Sequence, residues 1–402
     1  MRENKFHIVA DENAVGLQEI ASHLGTLDLL PAERIDAQAL QQADALIVRS
    51  VTRVDGPLLE GTPVQFVGSA TAGIDHVDTK FLRDSGIAFR HAPASNAVSV
   101  VEYVLAALLV LCSREQRLLD DLVVGVVGCG NVGSRLADRL ELLGVRVLRN
   151  DPPRARAEEG FVALDTVLKT SDVITLHTPL EHAGPFPTHH LIDDGAFERM
   201  RPGVWFINAA RGPVVDTAAL IRAIDAGKVR HAVVDTWEGE PSVSLELLGR
   251  ATIGTPHIAG YSYDSKLLGS RMVVEAMADY FGFEIDLGPL QTDDKHLITP
   301  PDPALDVVEA SRYAVGQMYD ILADDRRLRE ALLNRPPLNG PTPRDQNATA
   351  SHSAAFRELR RTYPRRYSFG RYGIDGALLR PGIADVLTRL GLHVELEAAQ
   401  VR

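Results

Sequence analysis

Short apolar runs alternate with amphipathic helical patterns between residues 6 and 255. The runs are rich in valine, isoleucine and leucine and are bounded by glycine, proline or polar residues, which is typical of strands buried in a parallel sheet. They predict strands over residues 6–10, 45–48, 65–68, 87–89, 123–127, 145–148, 173–177, 204–208, 232–234 and 252–255. Strands that alternate with helices indicate the α/β class, in which ligands bind at the carboxyl ends of the strands.

A glycine-rich turn follows the strand at 123–127 and leads into a helical pattern. Gly128 permits a tight turn, Gly130 offers bare backbone to a pyrophosphate, and Gly133 lets the helix pack close to the strand. The first amides of the helix then face the phosphates. The turn therefore predicts a dinucleotide site, and the alternative is a glycine-rich turn of some other α/β protein. The residues expected at the cofactor are Gly128, Gly130, Asn131, Val132 and Gly133.

Asp151 follows the next predicted strand, about 20 residues beyond the glycines, where a carboxylate can bind the ribose hydroxyls. The same carboxylate repels a 2′-phosphate, so the sequence favours NAD over NADP. The neighbouring Arg149, Arg154 and Arg156 are the features that argue for NADP.

Two long helical patterns, over residues 96–118 and 266–281, connect the first set of strands to the second and back again. The first domain should therefore be discontinuous. The predicted domains are a substrate domain (1–95 and 263–289), a dinucleotide domain (96–262) and a C-terminal domain (290–402). In the last of these we expect a helix over 307–323, a mobile loop over 334–353, a basic stretch over 356–366 and a strand-helix-strand pattern ending at Glu397.

Composition excludes several classes of function. The net charge of −12 leaves no basic excess for a general nucleic-acid surface. Two cysteines, Cys112 and Cys129, argue against a disulfide framework and fit a reducing compartment. We find neither a cleavable leader nor an apolar run of 18 residues, so we expect a soluble, cytoplasmic protein without a membrane segment.

Three segments at predicted strand ends carry groups that suit the oxidation of a 2-hydroxy acid. They are residues 207–212, 235–241 and 255–261. Hydride transfer from C2 needs a base for the hydroxyl proton, and the imidazole of His257 suits that role near neutral pH. Glu240 can fix the tautomer of His257 and stabilise its imidazolium form, while Arg211 can bind the substrate carboxylate as a fork. Taken singly, each of the three could instead be a capping or solvated residue.

Other polar residues have two interpretations each. Asp235 can bind the nicotinamide amide or cap the next turn, and Thr178 lies at a strand exit where it can touch the cofactor. We expect His189 and His190 to point in different directions and therefore not to form a metal site.

An anion site is predicted in the first domain, where Arg49 and Arg53 flank Ser50 and where Thr71 precedes a turn at Gly73. Guanidinium groups, hydroxyls and free amides together suit a phosphate or carboxylate. The alternative is that the arginines are surface charges and that Thr71 is a turn residue.

These motifs resemble the D-isomer-specific 2-hydroxyacid dehydrogenases, a family of NAD-dependent enzymes. The shared motifs are GCGNVG, HTP, INAARG, DTWEGEP and TPHIAGY. A narrower similarity, to the erythronate-4-phosphate dehydrogenases within that family, comes from VADEN, VRSVTRVD, GSATAGIDHVD, VVEYVLAALL, DPPRA and TPHIAGYSYDSK. The similarity is strong to about residue 285 and weaker beyond it.

The resemblance implies a Rossmann-type doubly wound NAD domain, a flavodoxin-like discontinuous substrate domain and a C-terminal α+β dimerisation domain. It implies oxidation of 4-phospho-D-erythronate to the 2-oxo acid in pyridoxal phosphate biosynthesis, with Arg211, Glu240 and His257 as catalytic residues and no metal. The implied NAD contacts are Asp151, Thr178, Asp235 and Gly260, and the implied substrate contacts are Ser50, Thr71 and Tyr261. That the substrate phosphate explains the two arginines flanking Ser50, Arg49 and Arg53, is our own hypothesis, and replacing Arg49 tests it.

Two alternatives remain at this point. One is a dehydrogenase for another acid, such as 3-phosphoglycerate; the C-terminal region argues against it because it does not resemble a small regulatory ligand-binding domain. The other is a non-catalytic NAD-sensing scaffold on the same fold, which turnover would exclude.

Overall fold

The computed structural model describes residues 6–288, 296–333 and 346–395. Its contacts divide the chain into two compact units. Unit 1 comprises Met1–Ala97 and Tyr261–Asp293, and unit 2 comprises Val98–Gly260 and Asp294–Arg402. The C-terminal region thus falls in the same unit as the predicted dinucleotide domain, and the three-domain division stays a prediction.

The elements are numbered along the whole chain. The strands are β1 (His7–Asp11), β2 (Thr26–Leu30), β3 (Ala45–Val48), β4 (Phe66–Ser69), β5 (Ala88–His91), β6 (Val123–Val127), β7 (Arg146–Asn150), β8 (Val173–Leu176), β9 (Val204–Asn208), β10 (Val229–Val234), β11 (Ile253–Gly254), β12 (His296–Leu297), β13 (Tyr372–Asp375) and β14 (His393–Glu395). The α-helices are α1 (Leu17–Ala21), α2 (Gly56–Leu59), α3 (Thr79–Asp84), α4 (Ala97–Glu115), α5 (Asn131–Leu142), α6 (Leu164–Thr170), α7 (Asp194–Arg199), α8 (Thr217–Asp225), α9 (Leu245–Arg250), α10 (Tyr263–Phe281), α11 (Val307–Met318), α12 (Ile321–Leu332), α13 (Gln346–Arg361) and α14 (Pro381–Leu390).

Unit 1 is built on a parallel sheet of five strands in the order β2-β1-β3-β4-β5. This 2-1-3-4-5 order is the flavodoxin-like one. Alternate residues of each strand face opposite layers: Ile8 packs with α1 and α10, whereas Val9 packs with α2 and α3. Both faces of the sheet are therefore covered, as a parallel sheet requires.

The sheet of unit 2 is parallel and has the order β11-β10-β9-β8-β6-β7. Phe161 adds a single parallel bridge to Arg149, on β7. If that bridge is counted as a reduced third strand, the order becomes 3-2-1-4-5-6-7, which extends the doubly wound dinucleotide-binding order. The strand order reverses between β6 and β8: β7 is added on one side of β6, and β8 to β11 are added on the other. Such a sheet binds its ligand at this point.

The C-terminal region packs on the edge of this sheet. Phe356 of α13 and Leu328 of α12 join the same core as Leu247 and Leu248 of α9. Beyond them lies a small parallel sheet in the order β12-β13-β14.

Two predictions for the C-terminal region were wrong. The helix expected over 307–323 is two helices, because Asp320 caps the start of α12 through the amides of Leu322 and Ala323. The loop expected over 334–353 is helical from Gln346 onward, within α13. Its remaining residues, 334–345, lie outside the described part of the chain.

The expectation that the chain has no apolar run of 18 residues was wrong, because of helix α4. By length and composition, Ala97–Glu115 is apolar enough to cross a bilayer, so an apolar run of that size does exist. However, 78% of the most apolar 18-residue stretch of this helix is buried within the protein, which is typical of a core helix in a globular protein.

Candidate active site

The three segments that carry the candidate catalytic groups follow the neighbouring parallel strands β9, β10 and β11. Backbone hydrogen bonds join them. The amide of Asp235 donates to the carbonyl of Asn208 (3.0 Å), and the amide of Thr255 donates to that of Val234 (2.9 Å). The amide of His257 then donates to the carbonyl of Asp235 (2.8 Å). The ends of β9, β10 and β11 therefore form one continuous platform, as the topology requires.

His257 and Glu240 are in direct contact on this platform. The distance from Nδ1 of His257 to Oε1 of Glu240 is 2.5 Å. The other carboxylate oxygen, Oε2, accepts from the amide of Trp237 at 3.3 Å. Both side chains are about one quarter exposed (27% and 26%), so the pair remains accessible to a small ligand.

The pair is electrostatically coupled. Burial alone raises the pKa of Glu240, but the charge of His257 and its hydrogen bond outweigh burial, so that the pKa of Glu240 lies below its ordinary value. The guanidinium of Arg360 in α13 acts in the same direction. Glu240 is therefore ionised at neutral pH and can stabilise a protonated imidazole.

Asp235 holds the loop that carries His257. Its Oδ1 accepts from the hydroxyl of Thr255 (2.7 Å) and from the amide of Ile258 (2.8 Å), and its Oδ2 accepts from the amide of Ala259 (3.0 Å). Burial raises the pKa of Asp235, and these hydrogen bonds together with His257 oppose the rise. The structure thus provides the capping role, and contact between Asp235 and the cofactor stays a prediction.

Arg211 begins the turn after β9, and its Nη1 donates to the carbonyl of Ala210 at 2.8 Å. The next residue, Gly212, packs so tightly that a Cβ there would lie 2.0 Å from the carbonyl carbon of Trp237. The indole of Trp237 in turn donates to the carbonyl of Thr255 at 2.8 Å. Trp237, which the sequence analysis did not single out, therefore joins all three segments.

The glycine turn has the geometry that a dinucleotide requires. Gly128 has a φ of +86°, and a Cβ at Gly133 would lie 1.9 Å from the carbonyl oxygen of Gly128. A Cβ at Gly130 would meet no protein atom within 4 Å. Helix α5 begins at Asn131 without a side-chain cap, so that the first amides, including that of Val132, are available to an anion.

Thr178 supplies a second indication of a ligand at the same place. Its hydroxyl is buried and has no hydrogen-bond partner within the described part of the chain. Its backbone lies against Gly128, since a Cβ at Gly128 would be 2.7 Å from the Thr178 amide nitrogen. An orphaned hydroxyl beside the phosphate-binding turn fits a cofactor contact.

Asp151 lies at the end of β7 and already has protein partners. Its Oδ2 accepts from the amide of Cys129 (2.9 Å), and its Oδ1 accepts from the amide of Arg154 (3.1 Å). Arg149 and Arg154 are neutralised by acidic neighbours, Glu141 and Glu158 respectively. Because these arginines are already paired with carboxylates, they are weaker candidates for binding the 2′-phosphate of NADP than the sequence alone indicates.

The expected orientation of His189 and His190 was wrong. The rings of His189 and His190 are stacked, with centroids 4.1 Å apart, rather than pointing in different directions. Nε2 of His190 contacts the carboxylate of Glu238 at 2.6 Å. Among the described residues, no three His, Cys, Asp or Glu side chains form a cluster that could hold a metal ion.

The candidate substrate residues all belong to unit 1. Arg49 lies beside the buried Asp11, with Nε 3.1 Å from Oδ2, and Ser50 next to it is exposed. The hydroxyl of Thr71 contacts that of Ser69 (2.8 Å) and donates to the carbonyl of Gly73 (3.1 Å).

Tyr261 carries the ammonium group of Lys266 over its ring, at 4.5 Å from the centroid. Gly260, the predicted cofactor contact, is the last residue of the loop that bears His257. The contacts of these residues with ligands stay predictions.

Comparison with known proteins identifies relatives over nearly the whole chain. Residues 112–259 match the family model of the D-isomer specific 2-hydroxyacid dehydrogenase, NAD binding domain. The erythronate-4-phosphate dehydrogenase of Salinibacter ruber is 43% identical over 401 residues, which is 97% of this chain and 99% of the relative. That of Klebsiella pneumoniae is 46% identical over 332 residues, covering 80% and 86% of the two chains.

Solved structures agree with the sequence relatives. D-lactate dehydrogenase from Aquifex aeolicus, complexed with NAD and lactic acid, aligns with a TM-score of 0.58 at 27% identity. The alignment covers 69% of this chain and 96% of that one. The α/β fold, the Rossmann domain and NAD as cofactor are thereby confirmed.

Proposed function

The chain belongs to the erythronate-4-phosphate dehydrogenases, within the D-isomer-specific 2-hydroxyacid dehydrogenase family, and on this premise we propose that it oxidises the C2 hydroxyl of 4-phospho-D-erythronate. The product is (R)-3-hydroxy-2-oxo-4-phosphooxybutanoate, and the pathway served is the synthesis of pyridoxal 5′-phosphate. NAD, when bound, accepts the hydride that leaves C2.

The contact between His257 and Glu240 is the observation that carries this proposal. Because Nδ1 of His257 is engaged by Glu240, Nε2 is the nitrogen left to take the hydroxyl proton. The carboxylate of Glu240 then stabilises the imidazolium without accepting the proton itself. Arg211 binds the substrate carboxylate and polarises the developing carbonyl oxygen.

The cofactor is held by the turn and strand ends of unit 2. The amides at the start of α5 bind the pyrophosphate, Asp151 binds the ribose, and the orphaned hydroxyl of Thr178 contacts the cofactor beside Gly128. Asp235 and Gly260 contribute at the nicotinamide end.

The substrate is bound by Arg49, Ser50, Thr71 and Tyr261, with Arg49 on the phosphate. Arg49 suits this role because its side chain is only 13% exposed and Asp11 positions its guanidinium. Arg49→Ala should raise the Michaelis constant for the phosphorylated acid far more than for unphosphorylated erythronate. Arg53→Ala is the matched control, since Arg53 is 82% exposed and paired with Asp55. Equal effects of Arg49→Ala on both acids would refute the assignment.

A substrate panel tests the function itself. NADH formation should be followed with 4-phospho-D-erythronate, 3-phosphoglycerate, D-lactate and erythronate, each with NAD and with NADP. We expect the highest kcat/KM for 4-phosphoerythronate with NAD. A preference for 3-phosphoglycerate would favour a different dehydrogenase, and NAD binding without turnover of any acid would favour a scaffold.

We also infer that the enzyme is a cytoplasmic homodimer that associates through residues 290–402. Large apolar side chains of this region are exposed in the single chain, among them Leu297 (76%) and Leu378 (57%). Sedimentation of the wild type and of Leu297→Glu tests this, and a wild type that sediments as a monomer would contradict it.

A further inference from the structure

Arg366 is a buried arginine that contacts the loop bearing His257. It is 6% exposed and lies in the C-terminal region after α13. Its Nη2 donates to the carbonyl oxygen of Ala259 at 2.5 Å and also to the hydroxyl of Ser99 in α4. The hydroxyl of Ser99 donates to the same carbonyl at 2.8 Å. One carbonyl, two residues beyond His257, is therefore held by two donors.

The other side of the same loop is held by Asp235. The amides of Ile258 and Ala259 both donate to that carboxylate, so that Ala259 is fixed at its amide and at its carbonyl. His257 itself has a φ of +55°. This left-handed conformation is unfavourable for a residue with a Cβ, and it persists only where the surroundings hold it. The contacts on Ala259 are well placed to do so.

Two tyrosines connect the arginine to the carboxylate. The guanidinium carbon of Arg366 lies 4.2 Å from the ring centroid of Tyr319, whose ring is 6.2 Å from that of Tyr103. The hydroxyl of Tyr103 contacts the hydroxyl of Thr255 at 2.8 Å, and Thr255 donates to Asp235. A chain of contacts therefore runs from Arg366 to Asp235 and touches the loop of His257 at Thr255 and at Ala259.

The cost of burying Arg366 argues that it does more than fill space. Its Nε and Nη1 have no hydrogen-bond partner within residues 6–288, 296–333 and 346–395. Leaving buried donors unpaired is destabilising, and an apolar side chain of similar volume would avoid that loss. Burial lowers the pKa of Arg366, but Tyr363, Tyr319 and Glu102 raise it above its ordinary value, so that the guanidinium stays protonated at neutral pH.

We infer that Arg366 is a positioning residue for His257: by fixing the carbonyl of Ala259 it holds residues 255–260 in the conformation in which the imidazole meets Glu240. This inference rests on the proposed role of His257 as the base. It also gives the C-terminal region a part in the active site that is separate from dimerisation.

The test compares Arg366→Met with Arg366→Lys, which keeps the charge and one donor. The readouts are kcat, the Michaelis constant for NAD and the proton resonance of the His257–Glu240 hydrogen bond. The resonance is observed in protein with ¹⁵N-labelled histidine and is assigned with His257→Gln.

We expect Arg366→Met to lower kcat by about 10²-fold, the usual effect of a small misplacement of a reacting group. The Michaelis constant for NAD should rise by a smaller factor than kcat falls, because the turn at α5 is untouched and only the nicotinamide end of the proposed cofactor site, at Asp235 and Gly260, adjoins the displaced loop. The resonance should shift or disappear, and Arg366→Lys should restore part of both kcat and the resonance.

Arg389→Met is the matched control. Arg389 also donates from the C-terminal region to a backbone carbonyl, that of Leu142 at 2.9 Å, but it does not contact residues 255–260 among the described contacts. It should leave kcat and the resonance unchanged. If Arg366→Met does not fold, Ser99→Ala removes the second donor to Ala259 and should lower kcat about fivefold, the usual effect of one hydrogen bond.

A folded Arg366→Met variant with unchanged kcat and an unchanged resonance would overturn the inference. If the wild type turns over none of the acids tested, the proposed function fails, but the resonance still reports whether Arg366 holds the loop. Equal losses of kcat in Arg366→Met and Arg389→Met would indicate a general structural effect and would also overturn it.

Discussion

Nδ1 of His257 lies 2.5 Å from Oε1 of Glu240, although the two residues belong to turns that leave different strands. The contact is a hydrogen bond between an imidazole nitrogen and a carboxylate, and the charge of the ionised carboxylate strengthens it. It depends on the position of both turns, so changes to either turn, as well as changes to the pair, should affect catalysis.

Glu240→Gln should lower kcat by about 10²-fold or more, because a neutral amide cannot stabilise the imidazolium formed during oxidation. Steady-state kinetics of the forward reaction measure this. Glu238→Gln is the matched control: Glu238 lies in the same segment but contacts His190 and the amide of Thr217. A similar loss of kcat in both variants would contradict a special role for Glu240.

Arg211→Lys should lower kcat/KM for the hydroxy acid by about 10²-fold, because lysine keeps the charge but loses the fork that orients a carboxylate. The Michaelis constant for NAD should change little. Added guanidine should restore part of the activity of an Arg211→Ala variant. An effect on NAD alone would place Arg211 at the cofactor instead of the substrate.

Gly212→Ala should reduce both activity and stability, since the added methyl group would lie about 2 Å from the backbone of Trp237 and force the turns apart. The melting temperature and kcat should fall together. Gly249→Ala serves as the control, because a Cβ at Gly249 meets no atom within 4 Å and lies in helix α9. Unchanged kcat in a folded Gly212→Ala variant would show that the turn tolerates displacement.

Protein stability should fall as the pH drops from about 6.5 toward about 3. Burial lowers the pKa of His177 from 6.5 to about 3, so the unfolded chain takes up a proton in this range while the folded chain does not. His177→Asn should therefore flatten the dependence of melting temperature on pH. His23→Asn, at an exposed position, should not. Part of the slope should remain, because burial also lowers the pKa of His76, to about 4.

The sequence was most informative where periodicity and burial agree. β9 has the predicted bounds, 204–208. All five of its residues are buried, and four of them are apolar, with Asn208 at the carboxyl end as the exception. β2 was missed, since Thr26–Leu30 is an edge strand with mixed burial and an aspartate at its centre. The sequence predicts a loop over 346–353 because α13 is largely polar, and the burial of its few apolar residues, such as Phe356, depends on packing against other elements.

The candidate site shows the same contrast between features that the local sequence predicts and features that depend on packing. That Asp235, Glu240 and His257 lie close together could be predicted, because the carboxyl ends of neighbouring parallel strands meet at one edge of a sheet. The contact between Gly212 and Trp237 could not be predicted, because it depends on how two turns meet in space. Arg366 lies in a basic stretch that has the composition of a solvated surface, and nothing local in its sequence indicates burial.

The packing of α12 against β11 limits how the protein can be shortened. The amide of Gly254, in this edge strand, donates to the carboxylate of Asp325 at 2.7 Å, and Arg329 reaches the carbonyls of Leu248 and Ala251. A truncated chain that ends at residue 288, and so keeps unit 1 but lacks α11 to α14, would uncover that strand edge and the apolar side chains beside it. Open edges of this kind recruit other chains. Engineers seeking a minimal catalyst from this scaffold should therefore retain the C-terminal helices.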